Sequence, residues 1–175
     1  MEKWWISLFF FNLEIYKLNG HNDAVYCLKF DETKLVSGSR DKTIKFWNLE
    51  SKQCFLTLKG HEGSVLCIDF NYKYLVTGSS DSTAIIWDSV TGELIFQLKG
   101  HTGPILDIKL LETKIFTSSK DGSIKVWDCG TKQLLNTLGG HSSAVNVYFI
   151  KKVSGLQSNF NSVLLGWRYN ERLGH

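Results

Sequence analysis

Short apolar runs rich in β-branched and aromatic residues alternate with clusters of Gly, Asp, Ser and Asn along most of this chain. The stretch from 64 to 98 shows the pattern: SVLCIDF, YLVTGSS, a turn at Ser80-Asp81-Ser82, TAIIWD, a turn at Val90-Thr91-Gly92-Glu93, and ELIFQL. Such runs, bounded by turn-forming residues, predict β-strands. None keeps a 3.6-residue apolar period over a helical length. Four short strands in one 40-residue unit make a small antiparallel sheet. It cannot bury both of its faces alone, so neighbouring sheets must stack against it.

The pattern repeats in phase. Gly-His pairs stand at 20–21, 60–61, 100–101 and 140–141, Trp at 47, 87, 127 and 167, Asp at 41, 81 and 121, and Leu at 18, 58, 98 and 138. Residues 20–59 and 60–99 align without a gap and are identical at 14 of 40 positions. A fixed period of this length predicts a propeller, solenoid or array. The units are 20–59, 60–99, 100–139 and a partial one at 140–147, within a repeat segment spanning 13–147. A lead-in occupies 1–12 and a tail 148–175.

Each unit holds a His, a Ser or Thr, an Asp and a Trp. The sets are His21, Ser37, Asp41 and Trp47; His61, Thr77, Asp81 and Trp87; and His101, Thr117, Asp121 and Trp127. A Ser-His-Asp hydrolase site occurs once in a protein, whereas this set occurs three times with a tryptophan attached, so a structural role is expected and no enzyme activity. The Asp sits in a turn where its carboxylate can accept local hydrogen bonds. It can hold the imidazole, which reaches the hydroxyl, which reaches the indole N–H, because buried polar groups need partners. In the first unit Ser37 and Ser39 point to one face of their strand, and spacing leaves open which is the hydroxyl member.

These marks resemble the WD-repeat β-propeller family. They are the Gly-His pairs, Trp47-Asn48, Trp87-Asp88 and Trp127-Asp128, and SGSRD, TGSSD and TSSKD before the third strand. The resemblance covers 13–145 and implies an all-β fold of four-stranded antiparallel blades. Three blades and a degenerate fourth are expected to form an incomplete open arc, since a ring needs about 4–8 blades and the family usually has seven. LEIYKL at 13–18 is expected to supply an outer strand of the preceding blade. The arc is expected to expose apolar faces and to associate or aggregate on its own.

The phrases AVYCLKFDETKLVSGSRDKTIKFWN, SSKDGSIKVWD and GHSSAVNV are most similar to early blades of F-box/WD-repeat proteins of the beta-transducin-repeat-containing type. That resemblance implies a substrate receptor of a cullin–RING ubiquitin ligase, binding a doubly phosphorylated Asp-Ser-Gly-x-x-Ser peptide on the narrow face of the propeller. The ligand-facing positions carry over to Tyr26, Leu66, Leu106 and Asn146 after the strand-opening residue, to Arg40, Ser80 and Lys120 before the turn Asp, and to Ser64. Arg40 offers a planar fork for phosphate and is expected to matter most, with Lys120 adding a point charge. Ser64, Ser80 and Tyr26 offer hydroxyls, and Leu66 and Leu106 an apolar seat. No F-box is legible in this sequence, and the family's later basic blades are missing, so weak affinity is expected. The competing expectation is a general WD-repeat scaffold for signalling or complex assembly; a third is a non-functional gene fragment.

Composition adds little against this. A 43% hydrophobic, 21% charged chain of 175 residues is ordinary for a globular domain, and a net charge of +3 does not imply nucleic acid. Cys27, Cys54, Cys67 and Cys129 lack metal or redox spacing and read as reduced thiols, which predicts a cytoplasmic or nuclear protein. Histidines one per blade cannot share a metal ion, and no phosphate-binding glycine loop is present, so no cofactor is expected. The apolar window Trp4–Phe11 is too short to span a bilayer and lacks a cleavage site; a lead-in rather than a membrane anchor is expected. After Val147 the repeat marks fail: Asn161 stands where Asp is due, and Arg168 follows Trp167. The last 28 or so residues are expected to be foreign to the repeat, as after a frameshift or retained intron.

Overall fold

A computed structural model describes residues 5–9 and 15–139, and side chains from Lys17 onward. Blade one comprises β3 (Val25–Phe30), β4 (Lys34–Ser39), β5 (Thr43–Asn48) and β6 (Cys54–Lys59). Blade two comprises β7 (Val65–Phe70), β8 (Tyr74–Ser79), β9 (Ala84–Asp88) and β10 (Leu94–Leu98). Blade three comprises β11 (Ile105–Leu111), β12 (Lys114–Ser119), β13 (Ile124–Asp128) and β14 (Leu134–Leu138). Every blade is a four-stranded antiparallel meander in chain order, and the three do not close into a ring. No helix occurs among the described residues. The three tryptophans occupy equivalent positions on β5, β9 and β13, one residue before the strand ends.

Turn chemistry closes each meander. Between the second and third strands, Lys42 (φ 68°), Ser82 (φ 69°) and Gly122 (φ 81°) all take the left-handed conformation. The preceding Asp compensates the strain by accepting the next N–H, as Thr43 N donates to Asp41 Oδ1 at 2.9 Å. The residue after each Trp does the same for the outer turn. Asp88 Oδ1 accepts from Val90 N at 2.8 Å and Thr91 N at 2.7 Å, and Asn48 Oδ1 from Ser51 N at 2.7 Å.

Blades stack through their apolar faces. Val36, Ile44, Phe46 and Leu58 of blade one pack on Val65, Ile68, Leu75, Ile85 and Trp87 of blade two. Val76, Ala84, Ile86 and Leu98 of blade two pack on Ile105, Ile108, Ile115 and Trp127 of blade three. The fit is tight at Gly78, where an added Cβ would lie 2.6 Å from Cys67 Sγ and 2.7 Å from Ile105 Cγ2 of the next blade. Phe30 on the opposite face of blade one is 63% exposed, and Leu28 is also exposed, whereas their counterparts Ile108 and Leu110 are buried.

The segment ahead of blade one forms a two-stranded antiparallel sheet of β1 (Trp5–Phe9) and β2 (Ile15–Asn19), with Trp5 opposite Asn19 and Phe9 opposite Ile15. The anticipated outer strand therefore spans 15–19 and pairs with β1 of the lead-in, while Leu13 and Glu14 lie outside the described residues. Leu18 packs on Leu35 and Trp47, covering part of the free face of blade one.

Candidate functional site

Two sets of residues recur at 40-residue spacing: a buried one inside each blade and an exposed one on its rim. The buried set forms one chain of hydrogen bonds per blade. In blade one, Trp47 Nε1 donates to Ser37 Oγ at 2.8 Å, Ser37 Oγ meets His21 Nε2 at 2.8 Å, and His21 Nδ1 meets Asp41 Oδ2 at 2.9 Å. In blade two, the corresponding distances through Trp87, Thr77, His61 and Asp81 are 2.9, 2.8 and 3.0 Å. In blade three, through Trp127, Thr117, His101 and Asp121, they are 2.9, 2.8 and 2.7 Å. Ser37, not Ser39, is therefore the hydroxyl member. Ser39 Oγ instead donates to the Asp23 carbonyl at 3.1 Å and accepts from Asp41 N at 3.0 Å.

Donor counting assigns the protons. The carboxylate can only accept, so Nδ1 carries a hydrogen and donates it there; when the ring is neutral, Nε2 then accepts from the hydroxyl. In that neutral state the imidazole is the Nδ1–H tautomer. Burial lowers the pKa of His21 and His101 in spite of the carboxylate beside each, in keeping with a neutral ring. Burial pushes the Asp41 carboxyl up, but bonds from Thr43, Asn22 N–H and His21 outweigh it and bring the pKa down to about 2. The Asp81 and Asp121 carboxyls are likewise held below the usual range. Ser37, Thr77 and Thr117 are fully buried, so no substrate reaches these hydroxyls. Gly20, Gly60 and Gly100 make room for the indole of their blades, since a Cβ on Gly60 would lie 2.8 Å from the Trp87 ring.

The exposed set gathers at the end of each blade where the inner strand begins. Tyr26, Leu66 and Leu106 each fall at the register shift between the first and third residues of β3, β7 and β11. A bulge of this kind re-aims one side chain out of the ladder. Tyr26 is 49% exposed, and Leu66 and Leu106 are half-buried. Arg40, Ser80 and Lys120 follow directly on the second strands and are exposed. Their backbone N–H groups donate across to Ala24, Ser64 and Pro104 carbonyls at 2.8, 2.9 and 2.9 Å, which sets them beside the strand openings. Asn146 lies outside the described residues.

Two details of this rim were not visible in the sequence. Ser80 Oγ accepts from Ser64 N at 2.8 Å, which fixes the hydroxyl on the rim and leaves its hydrogen to donate to a ligand. Arg40 Nε stands 3.6 Å from Asp23 Oδ2. A third unanticipated feature lies on the inner strands. Asp69, nearly fully buried, accepts from Phe70 N at 3.0 Å and Leu110 N at 2.8 Å, and pairs with Lys29 of blade one and with Lys109 of blade three at 3.2 Å. This carboxylate ties three blades together. Its signal in the sequence is an alternation of sign, Lys29, Asp69 and Lys109, at one phase of the repeat.

Among the described residues, no group of His, Cys, Asp or Glu is arranged to hold a metal ion, and all four cysteines are free thiols. Burial raises the Cys27 thiol to about 12 and the Cys129 thiol to about 11, so neither is a thiolate near neutral pH.

Known proteins carry the same architecture. The chain is 42% identical over 60 residues to the probable E3 ubiquitin ligase complex SCF subunit scon-2 of Neurospora crassa, which is 33% of this chain and 9% of that protein. It is 49% identical over 41 residues to mitochondrial division protein 1 of Malassezia globosa, 23% of this chain and 6% of that protein. The chain thus spans less than a tenth of the length of either relative. The crystal structure of the computationally designed Ika8 protein superposes with a TM-score of 0.75 at 31% identity, covering 81% of this chain and 45% of that one. The family model described as "WD domain, G-beta repeat" matches three times, at residues 12–48, 52–88 and 92–128. Each match closes on the Trp and the residue after it, and the buried hydrogen-bonded chain repeats in step, so this protein belongs to the WD-repeat family of β-propellers, a family of protein-binding modules.

Proposed function

We propose that the rim formed by Tyr26, Arg40, Ser64, Leu66, Ser80, Leu106 and Lys120 binds a phosphorylated peptide, and that the chain is part of a substrate receptor of an F-box type ubiquitin ligase. The observation that carries this reading is the recurrence of two basic side chains, Arg40 and Lys120, at equivalent exposed positions around half-buried leucines and hydroxyl groups. Phosphate is matched by charge-assisted hydrogen bonds from such groups, and the leucines offer an apolar seat between them. The similarity to an SCF subunit supports the same reading. On this reading the protein acts in the cytoplasm or nucleus, and the ligase components attach through parts of the protein other than these blades.

The second reading is a general WD-repeat scaffold without phosphate specificity. The similarity to a mitochondrial division protein favours it, because ligase subunits are not the only relatives. Chemical-shift titration with a phosphoserine peptide and its unmodified twin separates the two. The phosphopeptide is expected to shift rim residues of the wild type, and to shift them more weakly in Arg40→Glu, which puts a second carboxylate beside Asp23. Equal shifts from both peptides in both proteins would establish the scaffold reading instead.

A further inference from the structure

The three blades differ at the position that faces the rim residue. Position 23 of blade one corresponds to 63 and 103, and position 40 to 80 and 120. That the first position abuts the second is shown by the glycines: a Cβ on Gly63 would lie 2.5 Å from Ser80 Oγ, and one on Gly103 would lie 3.5 Å from Lys120 Cβ. Only blade one places a side chain there, and it is a carboxylate. Asp23 Oδ1 accepts from Ala24 N at 2.8 Å, which anchors the group, and Oδ2 stands 3.6 Å from Arg40 Nε. That distance is too long for a hydrogen bond, so Asp23 does not aim the guanidinium. It stands close enough to offset part of the guanidinium charge. Lys120 faces glycine and makes no ion pair among the described residues.

We infer that Asp23 masks Arg40 toward anions, so that Lys120 on blade three, not Arg40 on blade one, is the leading contact for an anionic ligand on this rim. The inference rests on the anionic-ligand reading of the rim and sharpens it. An anion approaching blade one meets a neutral pair and must displace or tolerate a carboxylate; one approaching blade three meets an open ammonium. Asp23 is then an affinity-setting residue. It weakens binding of anionic ligands and leaves neutral peptides untouched. Because Asp23 and Arg40 are both partly exposed, the masking weakens as salt rises.

The test uses the full chain and two probes. Asp23→Asn removes the charge and keeps the oxygen that accepts from Ala24 N. With a phosphoserine peptide, Lys120→Gln is expected to weaken binding about 10-fold, the range of a lost charge-assisted hydrogen bond, and Arg40→Gln by less than about 3-fold. Asp23→Asn is expected to tighten binding about 3-fold at low salt, and to raise the cost of Arg40→Gln to about 10-fold in that background. Equal costs of Arg40→Gln in the two backgrounds, or a smaller cost for Lys120→Gln than for Arg40→Gln, would overturn the inference. The second probe is inorganic phosphate alone, read from side-chain N–H signals. Lys120 is expected to respond at lower phosphate than Arg40, and Asp23→Asn to bring the two together. A phosphopeptide that binds neither wild type nor Asp23→Asn counts against the phosphopeptide reading. If Arg40 responds to phosphate at or below the concentration that moves Lys120, the masking itself is wrong.

Discussion

The interior and the rim of each blade are built from residues at the same 40-residue spacing, yet they behave in opposite ways. Inside, the three blades are nearly superposable in chemistry: indole, hydroxyl, imidazole and carboxylate follow one another at distances between 2.7 and 3.0 Å in every blade. At the rim, equivalent positions hold Arg40, Ser80 and Lys120, facing Asp23, Gly63 and Gly103. The difference follows from solvent. A buried donor or acceptor without a partner costs about 1–3 kcal/mol, so a four-membered chain tolerates little variation. An exposed side chain on the rim finds water as a substitute partner and is free to differ, which lets repeated blades carry an asymmetric binding surface.

The largest break in this comparison should come from acid, because it reaches all three interiors together. The pKa values of His21 and His101 are lower in the fold than in the unfolded chain, where protonation begins near 6.5. Stability is therefore complete above that value and falls as pH drops below it. The carboxyl of Asp41 is held at about 2 against an unfolded value of 3.8. Its contribution is present above 3.8 and lost as pH falls toward 2, and Asp81 and Asp121 act in the same direction. Denaturant melts recorded between pH 8 and about pH 3 should show a plateau, then a first decline below about 6.5 and a steeper one below about 4. A flat profile would mean that the buried chains do not hold the blades.

The next break is local. Trp87→Ala should cost about 3–5 kcal/mol, since it empties a core site between blades one and two. Asp81→Ala should be destabilising as well, and the two losses should not add, because both residues terminate one hydrogen-bonded chain. A double-mutant cycle by chemical denaturation measures this. Strict additivity would separate the carboxylate from the indole and refute the chain as a unit.

The smallest expected effect sharpens the comparison from the other side. Arg40→Gln and Lys120→Gln should leave stability within about 0.5 kcal/mol, as exposed substitutions do, while changing anion binding. A stability loss as large as that of an interior substitution at either site would place the rim inside the structural network.

The repeat in the sequence predicted the blades closely. The apolar runs of the second unit became β7 to β10 with boundaries within a residue, and all three buried sets contain the His, Asp and Trp expected of them. These features are local, or are repeated often enough that chance cannot imitate them. A strand is specified by alternation over a few residues and a turn by its own Asp, and three copies in phase mark out which His, Asp and Trp belong together. The choice between Ser37 and Ser39 was not legible, because both point to one face and only the approach of Trp47 and His21 from other parts of the blade separates them. The pairing of Leu18 with Trp47 and Leu35, the clasp of Lys29 and Lys109 on Asp69, and the ion pair of Arg40 with Asp23 depend on which residues meet across strands and across blades. Periodicity told which positions are equivalent. Only the tertiary structure decided which unlike residues at those positions touch, because a distance between two segments is set by twist, bulge and stacking and is not written in the spacing of either one.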